Sequence, residues 1–110
     1  MNPDPSVPSR RASRVLATLV LALAVTGCAS TVPLPEDRLA VARTAIERAE
    51  QAGGPQAAPD AFTAARDKLT RAEASPRTRE GAAEAGRLAE QAEADARLAE
   101  AKARAQRADR

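Results

Sequence analysis

The chain has 110 residues, which allows one domain. It carries 17 basic and 15 acidic side chains, but three of the arginines and one aspartate lie in residues 1–27. The other 83 residues therefore hold 14 of each sign, and this balance gives no reason to expect nucleic-acid binding. Histidine, tyrosine and tryptophan are absent, which removes the usual general base and the commonest metal ligand.

An apolar run from Val15 to Val25 follows three arginines and precedes small residues and the only cysteine, Cys28. This order is typical of a secretory signal peptide, whose apolar run forms a helix. A retained membrane span is the alternative, but Val15 to Ala29 is 15 residues and a span needs about 20. A twin-arginine signal is a weaker alternative, because polar residues follow the arginines where that motif has apolar ones. We therefore predict that residues 1–27 are a signal peptide for general secretion.

Residues 25–28 read Val-Thr-Gly-Cys and resemble the bacterial lipobox. In that motif the cysteine thiolate accepts a diacylglyceryl group, a peptidase cuts before the cysteine, and the new amine is acylated, with palmitate as the expected chain. One acyl chain binds a membrane marginally, but each buried CH₂ adds about 0.8 kcal/mol, so two or three chains hold firmly. We predict cleavage between Gly27 and Cys28 and lipidation of Cys28. An unmodified thiol in an uncleaved leader is the alternative.

The residue after the cysteine is Ala29. In enterobacterial-type sorting an aspartate at that position retains lipoproteins in the inner membrane. Alanine at this position predicts that the protein is sorted to the periplasmic face of the outer membrane, which it contacts through its lipid anchor.

Three helices are predicted after the cleavage point. Residues 28–35 form the lipidated N-terminus and a short tether that two prolines keep extended. The first helix spans about 36–51, with acids in its first turn and Gly-Gly-Pro after its end. A Pro-Asp start predicts the second helix over about 59–74. The third helix spans about 79–109 and is roughly 45 Å long.

Each predicted helix carries a narrow apolar stripe at helical spacing. The stripes of the first two helices are Leu39, Ala42, Ile46 and Ala49, then Phe62, Ala65, Leu69 and Ala72. On the third helix positions 85, 89, 92, 96, 99 and 103 step by four and three, and all six are alanine. We call these six residues the alanine seam. Any helix packed on such small side chains must come very close.

Large apolar side chains are few after residue 27, where alanine supplies 25 of the 83 residues. Burying each large side chain contributes only about 1.5–3 kcal/mol, so a rigid, self-sufficient globule is not expected. We predict an all-α fold for residues 36–110: an alanine-rich antiparallel hairpin or a small three-helix coil with a long C-terminal helix. Because the third helix is about twice as long as the second, its end beyond Leu98 is expected to be free for a partner. That partner would be another envelope protein or a second copy of the chain.

Three stretches carry a family resemblance: residues 43–52 (RTAIERAEQA), 65–69 (ARDKL) and 89–103 (AEQAEADARLAEAKA). Together with the lipobox they resemble the bacterial envelope lipoproteins grouped as domain of unknown function 4398, over roughly residues 39–103. The resemblance implies a small helical hairpin, which in larger members looks like a spacer ahead of a peptidoglycan-binding OmpA-type domain. The family has no established activity, so the resemblance implies no catalytic residue, and only Cys28 carries over as a site.

The carboxylates after residue 27 are dispersed along helix faces beside arginines, which favours a solvated surface over acid/base catalysis. Metal binding by Glu93 and Glu100 would need histidine or a second cysteine, and the chain has neither. We therefore predict no enzymatic activity, no cofactor, no metal and no small-molecule substrate. Basic residues outnumber acidic ones by three from Arg97 to Arg110. Their placement at the negative end of a helix explains this excess, and attraction to anionic lipid, cell-wall carboxylates or an acidic partner is the functional alternative.

These observations favour a noncatalytic, lipid-anchored helical interaction module. The alternative is an oligomeric coiled-coil spacer that reaches from the membrane toward the cell wall. The murein lipoprotein, a spacer of this kind, is attached to the wall covalently through a C-terminal lysine. Since this sequence ends in Arg110, contact with the wall is expected to be noncovalent.

Overall fold

A computed structural model describes residues 31–110 of the chain. This part contains four helices and no strand: α1 (Glu36–Ala52), α2 (Gly54–Ala57), α3 (Pro59–Glu73) and α4 (Arg79–Ala108). The three long helices begin and end within one residue of the bounds that the sequence predicts. The predicted signal peptide over 1–27, the cleavage at Gly27 and the lipidation of Cys28 lie outside the described residues. None of the described helices combines the length and the apolar character that a bilayer crossing requires.

A glycine in the left-handed region ends α1. Gly53 has φ +93°, and its N–H donates to the carbonyls of Ala49 and Glu50. Glycine takes this conformation without a Cβ clash, so the chain turns sharply at this position. The next residues form the single turn α2, which the sequence does not predict, and Pro59 then opens α3 at the first helical position.

The connection between α3 and α4 is fixed by a side-chain cap. The Thr78 hydroxyl accepts a hydrogen bond from the Gly81 N–H at 3.0 Å, which satisfies one of the free donors at the start of α4. A Cβ at position 81 would lie 1.9 Å from the carbonyl oxygen of Pro76, so only glycine fits there. The cap and the close approach together set the direction in which α4 leaves the turn.

Helices α1 and α3 both pack on α4. Arg38 pairs with Glu90 at 2.6 Å, and Arg107 donates to the Gln51 carbonyl at 3.5 Å, so α1 and α4 run in the same direction. Helix α3 runs the opposite way. Its Phe62 end shares a buried cluster with the middle of α4, and its other end shares a cluster with the start of α4. The fold is therefore a three-helix bundle, the second of the two architectures predicted.

Alanine makes up most of the core. Of the 18 buried hydrophobic residues in the described part of the chain, 13 are alanine. All six residues of the alanine seam are buried, none more than 3% exposed. The predicted apolar stripes of α1 and α3 face the seam, with Leu69 half-buried. Small side chains at the contact bring the helix axes close together, and this closeness replaces bulky side chains as the source of packing.

The expectation that α4 is free beyond Leu98 is wrong for the alanine seam, although residues 104–110 are exposed. Ala99 and Ala103 are 0% and 3% exposed. The coverage comes from the end of α1 and from α2, which carries the chain across α4. A Cβ placed on Gly54 would lie 3.2 Å from the Ala99 Cβ, so the glycine allows this close crossing. The prediction failed because it assigned the cover to the second helix alone.

Candidate functional site

The four residues before α1 lie against the bundle. We call residues 32–35 the docked segment. The Val32 N–H donates to the Arg77 carbonyl at 2.9 Å, which ties the segment to the α3–α4 connection. Leu34 is 9% exposed and belongs to the same buried cluster as Leu39. The predicted tether is therefore not free of the bundle over these four residues, because the Val32 N–H is bonded to the α3–α4 connection and the Leu34 side chain is buried.

A second glycine makes room for this arrangement. Gly86 is buried within α4, where a Cβ would lie 3.3 Å from Arg38 Nη1 and 3.7 Å from the Pro35 ring. Glycine inside a helix costs about 1 kcal/mol relative to alanine. At this position the missing side chain lets the start of α1 and the docked segment lie close to α4.

Sequence reasoning missed the docked segment, although a signal for it is present. Leu34 stands just before the N-cap of α1, and Leu39 is the fourth helical residue. Apolar residues at these two positions commonly pack together as a hydrophobic staple, which fixes how the chain enters the helix. Two prolines flank Leu34 and favour extended conformations, which are equally typical of a tether.

The carboxylates considered as metal ligands are engaged with arginines. Glu93 pairs with Arg97, and Glu100 pairs with Arg104. Within residues 31–110 there is no group of three or more cysteine, histidine, aspartate or glutamate side chains able to hold an ion. In each pair the arginine is exposed, but the side chains of Glu93 and Glu100 are only 21% and 14% exposed. Exposed pairs one helical turn apart stabilise a helix by only about 0.3–0.5 kcal/mol.

One carboxylate has a perturbed acidity. A side-chain hydrogen bond from Arg87 holds the pKa of the Glu84 carboxyl below its usual value, and the same contact raises the pKa of Arg87. Both groups are exposed near the start of α4. The pair keeps Glu84 ionised, so it is a poor candidate for proton transfer near neutral pH.

The basic C-terminal end of α4 contacts the bundle through two long side chains. Arg107 reaches the Gln51 carbonyl, and Gln106 donates to the Ala57 carbonyl at 3.4 Å. Arg107 thus lies where α1 ends and its carbonyls are free, which is a favourable place for a cation. Placement at the negative end of a helix therefore explains part of the excess of basic residues near the C-terminus.

Among the open surfaces of the bundle, two carry the exposed apolar side chains Val41 and Leu98. A groove of about 290 Å³ lies between α1 and α4, where Val41 is 48% exposed and Arg48 and Arg97 contribute charge. The outward face of α4 carries a second surface, which we call the outer stripe: Ala94, Leu98, Ala101 and Ala105. All four are exposed, Leu98 by 47%, and they step by four, three and four. The alanine seam is already filled, so a partner helix would meet these surfaces instead.

The fold defines an all-α protein, a close-packed three-helix bundle whose described carboxylates form no metal-binding cluster. Residues 37–110 match the model of the family described as Domain of unknown function (DUF4398), and the chain belongs to this family. The match covers all four helices except the first residue of α1. Searches of curated proteins and of solved structures found no match.

Proposed function

We propose that this protein is a noncatalytic outer-membrane lipoprotein, anchored on the periplasmic face by lipid on Cys28. Its three-helix bundle would act as an interaction module for another envelope protein or a second copy of the chain. The observation that carries the proposal is the order of residues 15–28: an apolar run too short to span a bilayer, closed by Gly27 and Cys28.

The absence of a reaction is part of the proposal. The mature sequence has no histidine. Glu93 and Glu100, the two acids considered as metal ligands, are paired with arginines. A surface of paired charges suits reversible contact with a polar partner better than it suits proton transfer.

Partner contact is best supported on the outer stripe and on the groove between α1 and α4. The alanine seam fails as a docking site because α1 and α3 bury it. Leu98 and Val41 are the largest apolar side chains left exposed on the helices, and large exposed side chains are where a partner removes the most apolar area from water.

Lipidation is tested by labelling growing cells with palmitate and isolating the protein. The wild type should carry label, and Cys28→Ala should carry none and keep its leader. As a control, residues 29–110 exported behind the leader of a soluble periplasmic protein should appear in the periplasm without label. Label on Cys28→Ala, or a wild-type protein that retains residues 1–27, would overturn the proposal.

Sorting has its own test. On a sucrose gradient the wild type should sediment with outer-membrane markers, and Ala29→Asp should move to the inner-membrane fractions. Ala29→Ser is the matched control, since it alters the same position without adding a charge. If the wild type sediments with the inner membrane, the outer-membrane assignment is incorrect.

The alternative function is an oligomeric spacer that reaches toward the cell wall. The outer stripe favours it, because steps of four, three and four are those of a coiled-coil contact. Residues 32–110 contain both buried clusters, so residues 29–110 can be studied without the lipid. Sedimentation equilibrium should give a monomer if the bundle is a partner module. A stable trimer that Leu98→Asp dissociates would support the spacer.

A further inference from the structure

We propose that the bundle is held end-on to the membrane, with the α3–α4 connection facing the bilayer. There Arg77 and Arg79 contact the anionic headgroups of phospholipids. This inference rests on the proposed lipid anchor at Cys28 and adds to it a defined membrane-facing surface, which we call the turn end: Val32, residues 74–78 and the first turn of α4.

The docked segment decides which end of the bundle lies near the anchor. Val32 is hydrogen-bonded to the Arg77 carbonyl at 2.9 Å, and Leu34 is buried two residues later. The chain is therefore fixed to the turn end from Val32 onward and cannot pivot freely at residue 36. A free tether of eight residues would have left the orientation open.

The length of the remaining tether keeps this end close to the lipid. Val32 follows Cys28 by four positions. Four fully extended residues reach at most about 14 Å, so the Cα atoms of these two residues lie within that distance. The polar headgroup layer occupies roughly 5–8 Å on each side of the hydrocarbon core. Val32 and the α3–α4 connection bonded to it are thus brought to the headgroup surface, within about one or two Debye lengths.

The turn end carries two exposed arginines. Arg77 and Arg79 are exposed and form no ion pair within residues 31–110. Glu73, the nearest preceding acid, is held by Arg43 at 2.7 Å. Glu80 follows in α4, and Glu36 and Asp37 stand in the first turn of α1 at the same end. Contact with headgroups therefore depends on the position of Arg77 and Arg79 at the α3–α4 connection and not on an excess of positive charge. Each basic residue close to an anionic leaflet strengthens the attraction by about five-fold.

The opposite end of the bundle lies far from this surface. From Arg79 to Ala108 the helix has 30 residues, which corresponds to about 45 Å. The basic residues near Ala108 are therefore several Debye lengths from the headgroups when the turn end faces the membrane. Their contribution to membrane contact is predicted to be negligible, which makes them a matched control.

The orientation is measured on the full lipidated protein in vesicles. Because lipid occupies the Cys28 sulfur, an introduced cysteine is the only free thiol. Ala74→Cys and Ala108→Cys place a fluorophore on exposed sites at the two ends. In vesicles of phosphatidylethanolamine and phosphatidylglycerol with a headgroup nitroxide quencher, we expect at least three-fold stronger quenching at position 74. Equal quenching, or stronger quenching at position 108, would overturn the proposal.

The role of the arginines is tested by charge reversal in the same vesicles. Arg77→Glu with Arg79→Glu should lower the quenching of the label at position 74, and high salt should have the same effect on the unmodified turn end. Reversal of Lys102 and Arg110 should change nothing. If turn-end reversal has no effect, or has the same effect in phosphatidylcholine vesicles, the headgroup contact is refuted.

Failure of this inference can be told from failure of the lipid anchor. A protein that carries no lipid and floats free of the vesicles refutes the anchor. A lipidated protein that floats with the vesicles but shows no difference between the labels refutes only the orientation.

Discussion

The alanine seam offers the sharpest test of how this bundle is held together. Ala96 lies at its centre and is 0% exposed, among Phe62 and Ala65 of α3 and Ile46 of α1. Replacing it with leucine adds three carbon atoms to a contact where two helices already approach α4 closely. Neither neighbouring helix can withdraw without opening the rest of the seam.

The expected loss follows from overpacking. Extra methylenes in a well-packed core destabilise a protein by about 1–3 kcal/mol. For Ala96→Leu we expect the free energy of unfolding to fall by about 2 kcal/mol, because both faces of the seam are in contact. In a domain of this size that corresponds to a drop in Tm of roughly 10 °C.

Ala94→Leu is the matched control, since position 94 lies on the same helix and is exposed. Leucine and alanine differ by only about 0.2 kcal/mol in helix propensity, so the control should unfold close to the wild type. Thermal unfolding of residues 29–110 followed by circular dichroism measures both variants. If the two substitutions give the same Tm, the seam is not the close contact described.

Three further substitutions test other parts of the fold by the same unfolding measurement. Leu39→Ala should cost about 2–5 kcal/mol because the side chain is 1% exposed, whereas Leu98→Ala, at 47% exposed, should cost less than about 0.5 kcal/mol; equal losses would contradict the assigned core. Gly53→Ala should cost about 1 kcal/mol because φ is +93° there, and a neutral result would mean that α1 ends differently. Thr78→Ala should lower the free energy of unfolding by about 1 kcal/mol because it removes the cap of α4. Thr70→Ala is the control, since its hydroxyl caps no helix and its loss should be smaller. A smaller loss at Thr78 than at Thr70 would show that Thr78 does not cap α4.

The helices could be predicted from the sequence because local signals mark each boundary. Gly53 and the Pro59-Asp60 pair are such signals, and in the structure each stands at a helix end. The seam was predictable as well, since alanines spaced by four and three form one face of a helix. Local spacing is enough for predictions of this kind.

The tertiary contacts of the short segments were not predictable in the same way. The turn α2 covers the end of α4 only because Gly54 allows a backbone to pass close to Ala99, and no local pattern signals that crossing. The bond from Val32 to the Arg77 carbonyl likewise depends on where α3 and α4 meet. Both features join residues distant in sequence, which periodicity does not relate to one another. The packing of Leu34 on Leu39 is different, because the hydrophobic staple is a local signal for it.

For the candidate site the sequence supplies a prediction of chemistry alone. The assignment of a lipobox to Cys28 depends on residue types, and it stays a prediction because it concerns residues outside the described part of the chain. The surfaces open to a partner could not be predicted, because the sequence did not show that the seam would be filled from within. Only the packed bundle separates Ala96, which is buried, from Leu98, which is exposed.

The central claim is that a lipid on one sulfur anchors this bundle to a membrane. Intact-protein mass spectrometry of the protein purified from membranes tests it most directly. We expect a chain that begins at Cys28 and carries the added mass of a diacylglyceryl group and an acyl chain. A chain that still includes residues 1–27, with an unmodified cysteine, would contradict it.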